Sequence, residues 1–456
     1  MCGCMLLHAS QSMWLHAFAC GETPITMTGR QLTDGIKKTF RYAKRNGWRN
    51  AYYAASERLK QLKKRYEYEP PSDELLAAQR THIWVNAPKV SVLVPAYETN
   101  ETFMKELIDS VRAQTYSNWE LIVADAGKGG GVKNVVYPYT REDARINYHR
   151  LGENKGISGN TNAGLSFVNG TYTALLDHDD LLAPDALYEM VCAAAAQPEA
   201  ALFYSDEDKC DAKTEHFDTP HKKPDFDLDH LLTNNYICHL AMLKTDVLKS
   251  LRLRTEYDGA QDYDLFLRAV AAGKKIVHVP KVLYHWRSHG QSTADNPESK
   301  RYAYDAGRRA LDDFYRSMGW AAHAEEDMHV GFYRTVYETN IFDVRSEVGL
   351  TGGRLVRRNK VTGGAMTADG TLLYGGMPVH YSGYMNRAVL AQSVPALDLR
   401  CMSVREELKE LYAEYTARLE QGEGDAIDLS LSFCAEVRRQ GYLLIYNPWD
   451  LCYTER

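Results

Sequence analysis

The chain has 456 residues, of which 45% are hydrophobic and 25% are charged. At roughly 100–200 residues per domain, this composition is typical of a folded globular protein of two to four domains, and it excludes a wholly disordered chain. Fifty-four basic and sixty acidic residues give a net charge of -6. A nucleic-acid-binding domain is normally strongly basic, so no nucleic-acid partner is expected.

Residues 1–28 have no periodic pattern, and we expect a poorly structured extension there. The spacing of apolar residues predicts a helix from Gly29 to Tyr66, within a basic helical segment at 29–88 that Pro70 and Pro71 interrupt. Residues 30–65 contain twelve Lys and Arg against two Asp and Glu. Such a helix is suited to peripheral contact with an anionic membrane surface, and a solvated helical face is the equal alternative.

Nine cysteines occur without a CxxC pair, which favours free thiols in a reducing compartment. No apolar run approaches the ~18–20 residues that a membrane span needs. We therefore expect a cytoplasmic protein, with the inner face of the membrane as the alternative location.

Short apolar strands alternate with helical segments from residue 90 onward. Strands are predicted at 90–94, 121–124 and 172–176, with helices between them. This order predicts an α/β fold with a mostly parallel sheet flanked by helices. Ligands of such sheets bind at the carboxyl ends of the strands, where Asp125 and Asp177 follow their strands.

The clearest chemical signal is the run Asp177-His178-Asp179-Asp180 after an apolar strand. Carboxylates crowded at a strand end repel one another unless a cation lies among them, and Mg²⁺ and Mn²⁺ prefer such oxygen ligands. The run therefore predicts a divalent metal site at Asp177 and Asp179. A turn that caps the following helix is the alternative.

Three further segments carry candidate site residues. Asn154, Gly156 and Asn162 belong to a small-residue loop that would let the backbone approach a diphosphate, or would only cap a helix. Asp262 opens a helix as a general base or as a plain capping residue. His285 is a candidate metal ligand or a structural histidine.

Several blocks, in this order, resemble the signature blocks of family 2 glycosyltransferases, and the similarity is closest to rhamnosyltransferase-like bacterial enzymes that build surface polysaccharides. They are VSVLVPAYE (90–98), QTYSNWELIVAD (114–125), residues 154–164, LLDHDDLLAP (175–184), YSDEDK (204–209), residues 261–268 and YHWR (284–287). The resemblance spans roughly residues 89–320. It implies a GT-A fold and inverting transfer from a nucleotide-diphospho-sugar.

By this resemblance, two groups of side chains hold the donor and one aspartate acts as the base. The nucleoside would lie against Pro95, Ala96, Tyr97 and Asp125, and the diphosphate with Mn²⁺ or Mg²⁺ against Asp177, His178 and Asp179. Asp262 falls at the aspartate of the family's Glu-Asp base motif. Tyr204, Asp206, His239 and Trp286 are expected on the acceptor side.

The chain departs from the family pattern at two places. Gln261 replaces the glutamate before the base, and Asp125 is followed by Ala126, Gly127 and Lys128 where the family has DDGS. These departures motivate an alternative of another class, an inactive nucleotide-sugar-binding or carbohydrate-binding protein of the same fold. A nucleotidyltransferase is a third reading, but the Pro95-Ala96-Tyr97 turn lacks its glycine-rich loop.

The predicted domains are a glycosyltransferase domain at 89–325 and a smaller α/β module at 326–456. In that module, residues 425–448 repeat the order of residues 262–280: an acidic residue, an amphipathic helix, a glycine, an apolar strand and a proline. The first part of the glycosyltransferase pattern, with the strands that end at Asp125 and Asp177, has no counterpart in that module. We therefore expect a degenerate partial glycosyltransferase-like module that binds acceptor or acts as a scaffold. The leading prediction for the chain is a metal-dependent transferase that acts on a growing surface polysaccharide or a lipid-linked glycan.

Overall fold

The computed structural model describes residues 29–61, 66–288 and 301–454, so the extension predicted at 1–28 lies outside the described residues. Two compact units make up the chain. Residues 66–347 form one unit, and the N-terminal helix belongs to the other together with residues 348–456. Among the described helices, none combines the length and hydropathy that crossing a membrane requires. The domain limits expected at 29–88, 89–325 and 326–456 stay predictions.

Helix α1 (Gly29–Gln61) is interrupted at Gly47, whose φ of 80° only glycine adopts readily. The single helix predicted from Gly29 is therefore two segments within the described range. Its second segment packs against a loop of its own unit. The Glu57 carboxylate accepts the Ser382 N–H at 3.0 Å, and the Tyr53 ring stacks on His380 at 5.0 Å. Peripheral membrane contact of residues 30–65 stays a prediction.

The unit at 66–347 alternates strands and helices as the apolar pattern predicts. Its helices are α2 (Asp73–Thr81), α3 (Glu101–Arg112), α4 (Gly131–Glu142), α5 (Gly156–Gly164), α6 (Ala186–Ala196), α7 (Leu228–Leu231), α8 (Thr245–Leu251), α9 (Gln261–Ala271), α10 (Arg301–Ser317) and α11 (Ile341–Val344). Its strands are β1 (Val90–Ala96), β2 (Trp119–Asp125), β3 (Ile146–Arg150), β4 (Tyr172–Leu175), β5 (Leu181–Leu182), β6 (Leu202–Asp211), β7 (Phe217–His221), β8 (Ala241–Lys244), β9 (Ile276–Ser288), β10 (Ala322–Glu326) and β11 (Tyr333–Tyr337).

Nine of these strands form one sheet in the order β3-β2-β1-β4-β8-β6-β9-β5, with β7 paired to β6. Strands β1 to β4 are parallel, and β9 is parallel to β6. The α/β class is confirmed. The sheet, predicted to be mostly parallel, is mixed, since β5, β7 and β8 pair antiparallel with their neighbours. Antiparallel neighbours such as β6 and β7 need only a hairpin between them, so no helical crossover marks them in the sequence.

Both faces of this sheet are covered. Along β1, Val92 and Val94 belong to a core formed with α3 and α6, whereas Leu93 belongs to a second core formed with α9 and α10. Alternate side chains of a strand point to opposite faces, so a strand buried on both sides is apolar throughout. The middle of β1 therefore carries only apolar side chains.

Residues 348–454 form a smaller α/β layer with its own core around Phe433 and Tyr446. Its strands are β12 (Val348–Arg357), β13 (Lys360–Gly363), β14 (Ala365–Met366), β15 (Gln392–Ser393), β16 (Ala396–Leu397), β17 (Met402–Val404) and β18 (Leu443–Tyr453), and its α-helices are α12 (Lys409–Glu420) and α13 (Ala426–Arg439). The main sheet has the order β13-β12-β18-β15, with β17 paired to β12.

The smaller sheet repeats the topology of the second half of the large one. Strand β6 pairs antiparallel with β7 and β8 and parallel with β9, and β12 pairs antiparallel with β13 and β17 and parallel with β18. In each case an amphipathic helix, α9 or α13, directly precedes the parallel strand. The element order at 425–448 therefore corresponds to a repeated arrangement of strands.

Candidate active site

One pocket lies at the carboxyl ends of the central strands of the large sheet. It is formed by the ends of β1 and β4, one side of α5, the segment before β8 and the start of α9. The lining residues are Pro95, Ile157, Thr161, Leu175, Leu176, Asp177, Cys238, His239, Ala241, Leu253, Gln261, Asp262 and Phe266. Two of the predicted groups, the aspartate after β4 and the aspartate at the start of α9, thus share one cavity.

The turn after β4 is shaped by strand β9. The Tyr284 hydroxyl donates to Asp180 Oδ2 at 2.5 Å, and the Arg287 backbone N–H donates to Asp180 Oδ1 at 2.7 Å. Burial raises the pKa of the Asp180 carboxyl well above its usual range, and the charges of Asp179 and Asp177 raise it further. The buried Asp180 carboxylate thus fixes the turn to β9 through these two hydrogen bonds. Asp177 presents a side chain that is 51% exposed, and Asp179 is half-buried.

Asp262 begins α9 and reaches the pocket. Its Oδ1 accepts the Tyr263 N–H at 2.9 Å, and its Oδ2 accepts the Asn235 amide at 3.1 Å and the Cys238 thiol at 2.6 Å. Asp264, two residues on, is buried and paired with Arg268 at 2.7 Å and with Arg254. Of the two carboxylates in this turn, Asp264 is a structural ion-pair partner and Asp262 lines the cavity.

His239 stands between the two aspartates. Its Nε2 lies 3.5 Å from Asp177 Oδ2, and its backbone N–H donates to Glu207 Oε2 at 2.6 Å. Burial alone would raise the pKa of Glu207, but Lys223, His221 and His239 lower it well below its usual range. The buried carboxylate of Glu207 therefore stays ionised and anchors His239 at the pocket wall.

The predicted nucleoside residues lie at the ends of β1 and β2. Pro95 lines the pocket, Ala96 is buried at the end of β1 and Tyr97 is exposed. Asp125 is fully buried, and its Oδ2 accepts the Tyr148 hydroxyl at 2.7 Å and Arg150 Nη1 at 3.0 Å. Burial raises the pKa of Tyr148 to about 12, with the hydrogen bond to Asp125 adding to the shift. Donor contact by these residues stays a prediction.

The small-residue loop before α5 is closed by its own side chains. Asn154 Oδ1 accepts the Gly156 N–H at 3.1 Å, and Asn162 bonds both backbone groups of Leu253, at 2.7 and 3.0 Å. Gly156 has a φ of +75°, and a Cβ there would collide with Asp258. The backbone of the loop thus lies close to the Asp258 side chain, and its predicted contact with a diphosphate stays a prediction.

The remaining predicted residues are mostly away from the cavity lining. His285 is buried, with Nδ1 2.6 Å from Asp208 Oδ1 and its ring against Tyr68. Tyr204 and Asp206 are buried on β6, where Asp206 Oδ1 lies 2.8 Å from His278 Nε2. Trp286 is half-buried with its ring 5.8 Å from that of His239, and His178 is half-buried within the turn after β4. Their predicted roles stay predictions.

Two members of the site were missed by sequence reasoning. Cys238 contacts the proposed base directly, and Glu207 holds His239 from the centre of β6. Glu207 lies within the YSDEDK block and Cys238 immediately precedes His239, so both positions were near marked residues. Nearness to a marked residue does not predict that Cys238 contacts Asp262, 24 positions away, or that Glu207 contacts His239, 32 positions away.

Comparison with known proteins relates part of this site to a family. The family described as Glycosyl transferase family 2 matches residues 91–252, a segment that contains Asp125, Asp177 and Asp179 and ends before Asp262. The uncharacterized protein y4gI of Sinorhizobium fredii is 40% identical over 239 residues, covering 50% of this chain and 25% of that protein. The O-antigen biosynthesis protein RfbC of Myxococcus xanthus is 33% identical over 237 residues, covering 52% of this chain and 18% of that protein.

The matched regions thus cover a quarter or less of these two relatives. Among solved structures, TarS of S. aureus in complex with UDP is 18% identical, covers 50% of this chain and 65% of that chain, and has a TM-score of 0.39. That score is too low to support a functional inference. The family match confirms the resemblance found in the sequence blocks: residues 91–252 of this chain are similar to family 2 glycosyltransferases.

Proposed function

We propose that the chain is an inverting, metal-dependent glycosyltransferase. It would move a sugar from a nucleotide-diphospho-sugar to a hydroxyl of a growing surface polysaccharide or lipid-linked glycan. The observation that carries the proposal is the single pocket lined by both Asp177 and Asp262. Transfer needs charge compensation at the leaving diphosphate and a proton acceptor at the attacking hydroxyl, both within reach of one sugar ring. The similarity to an O-antigen biosynthesis protein supports a polysaccharide acceptor.

The turn after β4 fits a hard divalent cation. Three carboxylates lie together there, and the pKa of Asp180 is raised by its burial first and by the charges of Asp179 and Asp177 beside it second. Both Asp180 oxygens already accept hydrogen bonds, so Asp177 and Asp179 are the residues that would hold Mn²⁺ or Mg²⁺. When bound, the ion would supply Lewis-acid stabilisation of the charge on the departing nucleoside diphosphate.

Asp262 is the proposed general base. Asn235 and the Tyr263 N–H hold its carboxylate at the wall of the pocket. The carboxylate would take the proton of the acceptor hydroxyl while the hydroxyl oxygen bonds to the anomeric carbon and the bond to the diphosphate oxygen breaks. A single displacement from the opposite face inverts the anomeric configuration. General-base catalysis of this kind contributes ~10²–10⁴-fold.

The acceptor would approach past His239. Its ring stacks on buried Tyr284 at 4.8 Å and meets half-buried Trp286 edge-on, so His239 and Trp286 are the aromatic side chains beside the pocket that a sugar could contact. Aromatic faces bury the apolar side of a sugar while polar edges bond its hydroxyls.

The decisive experiment is a screen of nucleotide-diphospho-sugars against the purified full chain with Mn²⁺ or Mg²⁺. We expect at least one donor to raise the melting temperature only when the metal is present, because a ligand that binds only the folded state stabilises it. The same donor should then release nucleoside diphosphate slowly to water and faster with an acceptor glycan.

Asp177→Asn should lose both the metal-dependent stabilisation and the release. The matched control is Asp218→Asn, an exposed aspartate on β7 far from the pocket lining, which should retain both. Binding without release, with acceptor glycans present, would favour the sugar-binding alternative over the transferase. No binding of any donor with either metal would overturn the proposed donor site.

A further inference from the structure

Three different metal-binding side chains meet at the wall of the pocket. Cys238 Sγ lies 2.6 Å from Asp262 Oδ2 and 3.2 Å from His239 Nε2. All three ligand atoms lie within 4.8 Å of one another. A thiol, an imidazole and a carboxylate are the donor types of zinc sites, whereas Mn²⁺ and Mg²⁺ prefer oxygen alone.

Further groups orient two of these side chains from behind. Glu207 Oε2 lies 3.4 Å from His239 Nδ1, so the carboxylate is placed behind the ring while Nε2 points toward Cys238. The Asn235 amide donates to the Asp262 oxygen that faces the thiol. Carboxylates behind the distant ring nitrogen of a histidine are characteristic of zinc-bound imidazoles, because they fix the ring and increase its basicity.

We propose that Cys238, His239 and Asp262 form a site for Zn²⁺ or a similarly soft divalent cation, distinct from the carboxylate site at Asp177 and Asp179. Binding would break the Cys238 S–H bond, form a sulfur–metal bond and release the proton to solvent. The ion would take the place between sulfur and carboxylate that the thiol proton occupies, with the ligand atoms moving slightly apart. Asp177 Oδ2, 3.5 Å from His239 Nε2, adjoins the remaining open position.

The consequence for transfer rests on the proposed function. A carboxylate bound to zinc cannot take the proton of an acceptor hydroxyl, so zinc would inhibit transfer reversibly even with Mn²⁺ in excess. The binding of zinc itself does not depend on that function and is measured without any sugar nucleotide.

The test is a calorimetric titration of the full chain with Zn²⁺, repeated with Co²⁺ to record the absorption of a cobalt–thiolate bond. Cys2, Cys4 and Cys20 are replaced by serine in every sample, because these thiols of the N-terminal stretch could bind the same ions. We expect one equivalent of zinc to bind and the cobalt–thiolate absorption to appear.

Cys238→Ser should weaken zinc binding at least tenfold and abolish the cobalt–thiolate absorption. The matched control is Cys192→Ser, a half-buried thiol on α6 outside the pocket lining, which should bind both ions as the parent does. Glu207→Gln should weaken zinc binding ~10–100-fold while retaining the thiolate absorption, since it removes the negative charge behind His239 and leaves Cys238 in place. This third variant keeps the test decisive if Cys238→Ser does not fold.

Equal zinc affinity in the parent and Cys238→Ser, or no binding in the parent, would overturn the proposed zinc site. Transfer that is insensitive to zinc despite confirmed binding would leave the metal site standing and overturn the assignment of Asp262 as base. Active transfer without any zinc binding would overturn the zinc site and leave the proposed function standing.

Discussion

The second half of the large sheet and the sheet at 348–454 share one topology but differ in chemistry. Both contain a strand with a hairpin partner, an antiparallel neighbour and a parallel strand that follows an amphipathic helix. In both, the parallel pair is irregular near the middle of the ladder. Irregular pairing changes the direction in which side chains point, and it is common beside active sites.

The residues at that irregularity explain the difference. Strand β6 carries Asp206, Glu207 and Asp208 there, whereas β12 carries Gly352, Gly353 and Arg354. On β6, Glu207 anchors His239 at the pocket wall and Asp208 lies 2.6 Å from His285, whereas on β12 Gly353 lets β18 approach closely. Shared topology therefore supplies a position for functional groups, and the residue types at that position decide whether a site forms.

The aspartates at the starts of helices α9 and α13 also differ in their partners. Asp262 uses one oxygen within α9 and directs the other to the pocket, whereas Asp425 caps α13 by accepting the Ile427 and Asp428 N–H groups at 2.8 and 2.9 Å. The difference lies in what faces the carboxylate, which is Asn235 and Cys238 in one unit and the helix's own backbone in the other.

The largest expected effect separates these two aspartates. Asp262→Asn should lower the rate of sugar transfer ~10²–10⁴-fold while donor binding survives, because only the proton acceptor is removed. Asp425→Asn should transfer at the parent rate, since asparagine also caps helices well. Transfer rates and donor-induced melting shifts of both variants check this. A parent-like rate in Asp262→Asn would show that another group is the base.

The next expected effect concerns the half of the large sheet that has no counterpart at 348–454. Glu120 on β2 is buried and accepts Lys89 Nζ at 2.6 Å and the Asn169 N–H at 2.7 Å. Burial alone would raise the pKa of Glu120, but Lys89, Ser91 and Asn169 lower it below its ordinary value. Its stabilising contribution is therefore complete above the unfolded pKa of about 4.3 and is lost as the pH falls through the lower folded pKa.

We expect Glu120→Gln to cost about 1.5–3 kcal/mol in the free energy of unfolding at neutral pH, the usual range for hydrogen bonds to charged groups. The difference from the parent should close on acidification below about pH 4. Denaturant unfolding at several pH values measures both quantities. A difference that does not change with pH would show that the hydrogen bonds do not depend on the charge of Glu120.

The smallest expected effect tests the close approach of β12 and β18. A Cβ at Gly353 would lie 2.6 Å from the backbone carbonyl carbon of Asp450. Gly353→Ala should therefore destabilise the unit by about 1–3 kcal/mol, the usual cost of overpacking. Gly152→Ala, where a Cβ meets nothing within 4 Å, is the control and should change stability by less than about 0.5 kcal/mol. Thermal unfolding of both variants measures the difference, and equal stability would show that β12 and β18 can move apart freely.

Much of the fold of the large sheet can be predicted from the sequence. Continuous apolar runs predict strands at 90–94, 121–124 and 172–176, because strands covered on both faces are apolar along their length. The structure has these strands at 90–96, 119–125 and 172–175. The positions of Asp177 after β4 and Asp262 at the start of α9 follow from the same pattern. The kink at Gly47 and the antiparallel strands do not, because a single glycine and a hairpin are compatible with several arrangements.

Only the tertiary structure determines which aspartates are structural and which line the pocket. Asp125, Asp180 and Asp264 look in the sequence like Asp177 and Asp262, yet each is buried against donors that the sequence does not mark as its partners: Tyr148 and Arg150, Tyr284 and Arg287, Arg254 and Arg268. These three carboxylates are buried, whereas Asp177 and Asp262 line the pocket. Local sequence specifies the acid and its place on a strand or helix, whereas the packing of remote segments determines its partners.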